Sequence, residues 1–135
     1  MARAASVGVA HNNVIVARTV AVIGASSAPG KYGNKAVRAY LRQGWTVYPV
    51  NPTESTIEGL RVYPSIAAIP GPVERATLYL PPHVGVGVLA AIKAKGVEEL
   101  YVNPGAESDE LFAEAERLGL DAIFACSIIE IGERP

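Results

Sequence analysis

The residues best suited to chemistry in this chain are small ones. From Val20 to Gly33 the sequence reads Val-Ala-Val-Ile-Gly-Ala-Ser-Ser-Ala-Pro-Gly-Lys-Tyr-Gly, an apolar run passing through a small-residue loop toward a helix. A helix start exposes unpaired backbone amides and carries a partial positive charge, so such a junction favours an anion. Gly24, Ala25 and Gly33 let a phosphate come close to the backbone. Ser26 and Ser27 add hydroxyl donors, Lys31 adds a full positive charge, and Tyr32 stands in the loop where its ring can pack against a ligand. The chemistry indicated is phosphate binding; the plainer alternative is that Gly24 and Gly33 only make a tight turn.

The commoner phosphate loops fit poorly. A dinucleotide fingerprint needs G-x-G-x-x-G, but the second and third glycine positions hold Ser26 and Pro29. An acid for an NAD ribose is expected at the end of the second strand, where Val50, Asn51 and Pro52 stand instead. A Walker loop fails for want of G-K-[ST]. A nicotinamide- or nucleotide-dependent oxidoreductase, or a sugar-nucleotide enzyme with a degenerate fingerprint, remains the alternative reading.

Other reactive side chains point to less. Cys126 ends an apolar run, where a thiol is usually packing rather than a nucleophile. His83 follows Pro81 and Pro82 at a helix start and reads as solvated, while His11 has no context for a role. The acids Glu107, Asp109, Glu110, Glu114 and Glu116 read as a solvated helix face. No triad, general-base pair or catalytic residue is indicated, and one cysteine with two histidines does not make an ordinary structural zinc site.

The elements that must position the loop alternate regularly. Apolar runs at Thr19 to Gly24, Trp45 to Val50, Arg75 to Leu80, Glu98 to Asn103 and Asp121 to Cys126 have the character of strands buried on both faces. Between them, helical spacing covers Asn34 to Gln43, Val84 to Lys95 and Asp109 to Leu118, the last with Ser108 as its N-cap. Only a turn fits at Ser65 to Ile69, before Pro70-Gly71-Pro72. The expected fold is α/β: a Rossmann-like doubly wound parallel sheet of about five strands in the order 3-2-1-4-5, with 2-1-3-4-5 as the competing order. Residues 1–18 are expected to form an N-terminal arm, a helix or a pairing strand, and residues 19–135 the domain.

A chain of 135 residues, half hydrophobic and 19% charged, builds one compact core. Its net charge of -1 offers no general attraction to nucleic acid or an anionic membrane, so an anion needs a local site. No apolar run approaches the ~20 residues of a spanning helix. The lone Cys126 fits a reducing, cytoplasmic setting. No interface stripe separates monomer from homodimer.

Five segments in chain order carry a resemblance: Gly24 to Gly33, Tyr48-Pro-Val-Asn-Pro52, Gly59-Leu-Arg-Val-Tyr-Pro-Ser65, Leu80-Pro-Pro82 and Asn103-Pro-Gly-Ala-Glu107. Together they resemble the stand-alone CoA-binding proteins, whose domain is similar to the N-terminal domain of the succinyl-CoA synthetase alpha subunit and of ADP-forming acyl-CoA synthetases. The resemblance runs from about Thr19 to Gly132. It implies coenzyme A or an acyl-CoA as ligand, with the phosphates on the loop at Gly24, Ala25, Ser26, Ser27, Lys31, Tyr32 and Gly33. Asn51 and Pro52 would lie beside the adenosine end, and Leu80, Pro81 and Pro82 would border the ligand. Many members have Trp-Gln-Gly after the fourth strand, where this chain has Val102-Asn-Pro-Gly105, so Asn103 is a divergent contact. The synthetase cycle also needs a phosphorylated histidine in a second domain. The resemblance therefore implies binding rather than ligase catalysis, as a carrier or a CoA-responsive module with a protein partner still to be identified.

Overall fold

A computed structural model describes residues 7–9 and 15–135 of the chain. The elements in order are β1 (Val7–Val9), β2 (Ile15–Ala17), β3 (Thr19–Ile23), α1 (Tyr32–Arg42), β4 (Thr46–Val50), β5 (Thr56–Ile57), β6 (Leu60–Arg61), a 3-10 turn (Ile66–Ala68), β7 (Arg75–Leu78), α2 (Pro82–Gly85), a second 3-10 turn (Val86–Val88), α3 (Leu89–Lys95), β8 (Glu99–Val102), α4 (Asp109–Arg117), β9 (Ala122–Phe124) and α5 (Ser127–Glu130). Of the first 18 residues, Val7–Val9 and Ile15–Ala17 pair antiparallel with each other. The expectation for the rest of the arm lies outside the described residues.

Five parallel strands form the central sheet in the order β4-β3-β7-β8-β9. All five apolar runs are strands, and the doubly wound α/β class holds. Numbered as the sequence numbers them, however, they run 2-1-3-4-5, which corrects the expected 3-2-1-4-5. The reason is visible beyond β4. Val50 forms a parallel bridge with Tyr63, fixed by Tyr63 N–H donating to Pro49 O (2.9 Å) and Asn51 N–H donating to Tyr63 O (3.0 Å). This single-residue bridge occupies the edge where a third strand would lie, so Arg75–Leu78 crosses to the other side of β3. With the Tyr63 bridge counted as a position, the order is 3-2-1-4-5-6, that of the Rossmann sheet.

Because strand side chains alternate, the sheet sorts its residues onto two cores. Ala21, Ile23, Ala76, Leu78, Leu100 and Val102 face one cluster with Leu89 and Ile92 of α3 and Leu111 and Ala115 of α4. Val20, Val22 and Val47 face the other with Val37 and Tyr40 of α1 and Ile128 of α5. The expected single helix at Val84–Lys95 is divided by its glycines into α2, a 3-10 turn and α3, while Ser108 does cap α4, its side chain accepting from Leu111 N–H at 3.0 Å.

The second core holds an unusual polar group. Arg75, 1% exposed on β7, hydrogen-bonds Glu99 (3.0 Å), Glu130 (2.6 Å) and the Tyr40 hydroxyl (3.3 Å). Its guanidinium stacks between Trp45 and Tyr101, 4.9 and 4.4 Å from the ring centroids. A buried cation tolerates this position only because it is paired and stacked. It lies at the N-terminal end of β7, away from the strand ends where the loop emerges.

Candidate functional site

At the carboxyl ends of β3, β4 and β7 the chain opens into a cleft of about 820 Å³. This is where doubly wound sheets place ligands. Gly24, Ala25, Ser26, Lys31, Tyr32 and Gly33 line it from the first loop, Asn51 from the second, and Leu80, Pro81 and Pro82 from the third. Three of the expected residues are not brought to it. Ser27 and Pro52 lie exposed beside it, and Asn103 is buried behind it.

The loop is built by backbone approach. Gly24 adopts φ +92°, and a Cβ there would meet Tyr79 O at 2.4 Å; a Cβ on Gly33 would meet Gly24 O at 2.2 Å. These two glycines therefore press the start of α1 against the end of β3. The amides of Gly24 and Ala25 are used internally, both donating to Val50 O at 3.1 and 3.2 Å. Ala28 N–H donates to Ser26 Oγ (3.0 Å), a local turn that takes up the Ser26 hydroxyl as an acceptor. By contrast, the amides of Ser26, Gly30, Tyr32 and Gly33 have no hydrogen-bond partner among the described residues. Those at Tyr32 and Gly33 open the 11-residue helix α1, with Lys31 in extended conformation as its N-cap. Among the residues that line the cleft, the unpaired amides are thus at Ser26, Gly30 and the helix start rather than at Gly24 and Ala25.

Two residues in the first two turns of α1, four positions apart, hold the loop in this shape. Asn34, fully buried, donates through Nδ2 to Ser26 O (2.9 Å) and to Glu58 Oε2 (3.1 Å). Arg38 donates to Asn34 Oδ1 (2.7 Å) and to Pro29 O (2.9 Å). These bonds tie two loop carbonyls back to the helix and leave the amides of Ser26, Gly30, Tyr32 and Gly33 unpaired among the described residues. Lys31 is exposed, its side chain makes no ion pair or hydrogen bond among the described residues, and Lys35 lies over the Tyr32 ring at 4.9 Å. Tyr32 is 56% exposed, a large ring at the rim of the cleft.

Asn51 organises the second loop. Its Oδ1 accepts from Thr53 N–H (2.9 Å), Thr53 Oγ1 (3.1 Å) and Glu54 N–H (3.0 Å), while Nδ2 donates to Ala25 O (3.0 Å). The side chain closes an Asx turn and ties the second loop to the first. Asn103 does the same work in the interior. It donates to Thr77 Oγ1 (2.7 Å) and Leu78 O (2.9 Å) and accepts from Ser127 N–H (2.9 Å), joining β7, the end of β8 and the start of α5.

Sequence reasoning missed Glu54 and Tyr79, which line the cleft, and of the segment at Asn103 it named only the asparagine, whereas Pro104, Gly105 and Ala106 are the residues that line it. Glu54 Oε2 accepts from Ser27 N–H at 3.1 Å and from Asn51 Nδ2 at 3.4 Å. A carboxylate therefore does stand just beyond the second strand, three residues past the asparagine at its end. The Tyr79 hydroxyl lies 3.4 Å from Ser127 Oγ; burial pushes its pKa well above the ordinary value, the Ser127 hydrogen bond opposing, so the phenol stays neutral. Cys126 lines a smaller adjoining cavity of about 270 Å³ with Tyr32, Tyr79 and Ile129. Among the described residues no group of three or more acids, histidines and cysteines is placed to hold a metal, and no helix is long and apolar enough to cross a membrane.

Residues 18–132 match the family model described as a CoA binding domain. The chain is similar to ADP-forming acetate–CoA ligase II of Archaeoglobus fulgidus, 38% identical over an alignment of 108 residues that covers 77% of this chain and 16% of that enzyme. It thus spans about a sixth of the length of that ligase. Its fold is similar to a conserved hypothetical protein from Pyrococcus furiosus (36% identity, TM-score 0.77, 84% of this chain and 98% of that one). A hypothetical protein from Pyrococcus horikoshii is similarly close (28% identity, TM-score 0.78, 84% and 80%). A Rossmann-like sheet, an anion-seeking loop after its first strand and a family match over nearly the whole chain converge: the protein belongs to the CoA-binding domain family.

Proposed function

We propose that the chain binds coenzyme A or an acyl-CoA in the cleft at Gly24–Gly33, as a carrier or CoA-responsive module rather than as a catalyst. The observation that carries this reading is the cradle itself. Unpaired amides at Ser26, Tyr32 and Gly33 and the unpaired Lys31 side chain line the cleft where Gly24 and Gly33 let a ligand reach the backbone. A diphosphate placed there gains several charge-assisted hydrogen bonds, and Leu80, Pro81 and Tyr32 offer apolar walls for the rest of the ligand. Binding without turnover is supported by the company of the reactive groups: Ser127 and Tyr79 hydrogen-bond each other, and Tyr79 holds its proton. A cytoplasmic setting, where CoA and a reduced Cys126 coexist, belongs to the same reading, as does a protein partner that senses occupancy.

Native mass spectrometry of the freshly purified protein tests it. The expected result is a bound mass equal to CoA or an acyl-CoA, released on denaturation. A nicotinamide dinucleotide in its place would favour the oxidoreductase reading, to which the carboxylate of Glu54 beyond β4 lends some support.

A further inference from the structure

The geometry points to the free edge of the central sheet, at β9, as a docking surface for an extended, basic segment of a partner protein. One edge of the five-stranded sheet is closed and the other is open. Beyond β4, Val50 is bridged by Tyr63, whereas β9 pairs with β8 alone among the described residues. An edge strand offers backbone donors and acceptors to another chain unless a lysine, a proline, a bulge or a covering element blunts it. From 121 to 125 the chain reads Asp-Ala-Ile-Phe-Ala, with no lysine or proline. Ala125 N–H continues the ladder by donating to Val102 O at 3.2 Å.

Beside this edge lies a groove of about 380 Å³ that shares no residue with the cleft at Gly24–Gly33. Phe112 of α4, Leu120, Ile123 and Phe124 line it, with the Phe112 and Phe124 ring centroids 5.4 Å apart. Phe112 is 53% exposed, Ile123 40% and Phe124 39%. Large apolar side chains left in water together, rather than singly, mark an interaction surface. Glu116 and Asp121, both exposed, also line the groove, and neither forms an ion pair among the described residues. Of the cations nearby, Arg117 pairs with Glu114 at 2.7 Å and Lys93 donates to Gly119 O at 3.4 Å. The groove therefore combines apolar surface with uncompensated negative charge.

That combination selects the occupant. A strand added to β9 gains main-chain hydrogen bonds, but a three-residue strand offers few of them, so side chains in the groove must supply the rest. Apolar residues alternating with Lys or Arg cover Phe112, Ile123 and Phe124 and compensate Glu116 and Asp121. A second copy of this chain would instead bring two sets of these carboxylates to one interface, and a nucleic acid would be repelled by them. The inference does not depend on what fills the cleft.

The test is selection of a phage-displayed library of random peptides on the wild-type chain, with counter-selection on Ile123→Lys, whose folding a melting curve checks. Enriched peptides should alternate apolar residues with Lys or Arg. Made synthetically, they should slow amide exchange at residues 122–125 and bind Ile123→Lys at least about tenfold more weakly. Glu116→Gln combined with Asp121→Asn changes two exposed side chains, so it reads the charge even if Ile123→Lys fails to fold. It should weaken the same peptides by roughly threefold to tenfold, and rising salt should weaken their binding to the wild type. No enrichment over the variants, peptides without basic residues, or affinity that survives both changes would overturn the proposal. Self-association of the wild type in sedimentation, abolished by Ile123→Lys, would assign the edge to a second copy and overturn it as well.

Discussion

Lys31 is the residue on which phosphate recognition most depends, because the other basic groups near the loop are engaged. Arg38 is spent on Pro29 O and Asn34, and Lys35 sits over the Tyr32 ring. Lys31→Ala is therefore expected to weaken CoA binding by about 1.5–3 kcal/mol without changing the melting temperature of the free protein. Calorimetry and a melt read the two effects separately, and unchanged affinity would move Lys31 into the solvent. The loop was legible in the sequence because glycines, serines and a lysine between a strand and a helix announce an anion site by composition alone. The residues that shape it were not. Asn34 and Arg38 read as ordinary helix positions, since nothing local shows that their side chains turn back to hold Ser26 O and Pro29 O. Glu54 was passed over because it follows the strand end by four residues and reaches the cleft only through the Asn51 turn.

At the scale of elements, the site is the contact between the end of β3 and the start of α1, and its tolerance is measured in tenths of an ångström. Gly33→Ala would drive a Cβ to 2.2 Å from Gly24 O, a backbone atom that cannot swing aside, whereas Gly30, in the same loop, has nothing within 4 Å of its added Cβ. Gly33→Ala should cost on the order of 1–3 kcal/mol in chemical denaturation and lose ligand affinity, while Gly30→Ala should leave stability within about 0.5 kcal/mol of the wild type. The five strands were legible from their apolar runs, but their order was not. A strand reduced to the single Tyr63 bridge leaves no run to read, and without it the third apolar run takes the wrong seat. The short α5 was missed for a similar reason: Ser127–Glu130 is four residues and has no helical period to display.

Across the whole molecule, the sheet separates two tasks. The carboxyl ends of the strands carry the cleft, and the opposite ends carry the Arg75 cluster that joins β7, β8, α1 and α5. Partial burial pushes the Glu99 carboxyl upward, but its hydrogen bond and charge pairing with Arg75, joined by Arg18, outweigh that and hold it below its ordinary value. A carboxyl with a lowered folded-state pKa contributes stability that is fully present above the unfolded value and is lost as pH falls through the folded one. The melting temperature of the wild type should accordingly drop more steeply below pH 4.5 than that of Glu99→Gln, with the two curves differing by a constant offset above it. Parallel curves would mean that Glu99 titrates alike in both states.

Titration calorimetry with CoA and NAD on the same preparation separates a coenzyme A cleft at Gly24–Gly33 from a dinucleotide one. CoA should saturate one site per chain and raise the melting temperature, since a ligand at 100 times its Kd adds about 2.7 kcal/mol to the folded state, while NAD gives little or no heat. Saturating heat from NAD with none from CoA would rule out coenzyme A as the ligand of this cleft.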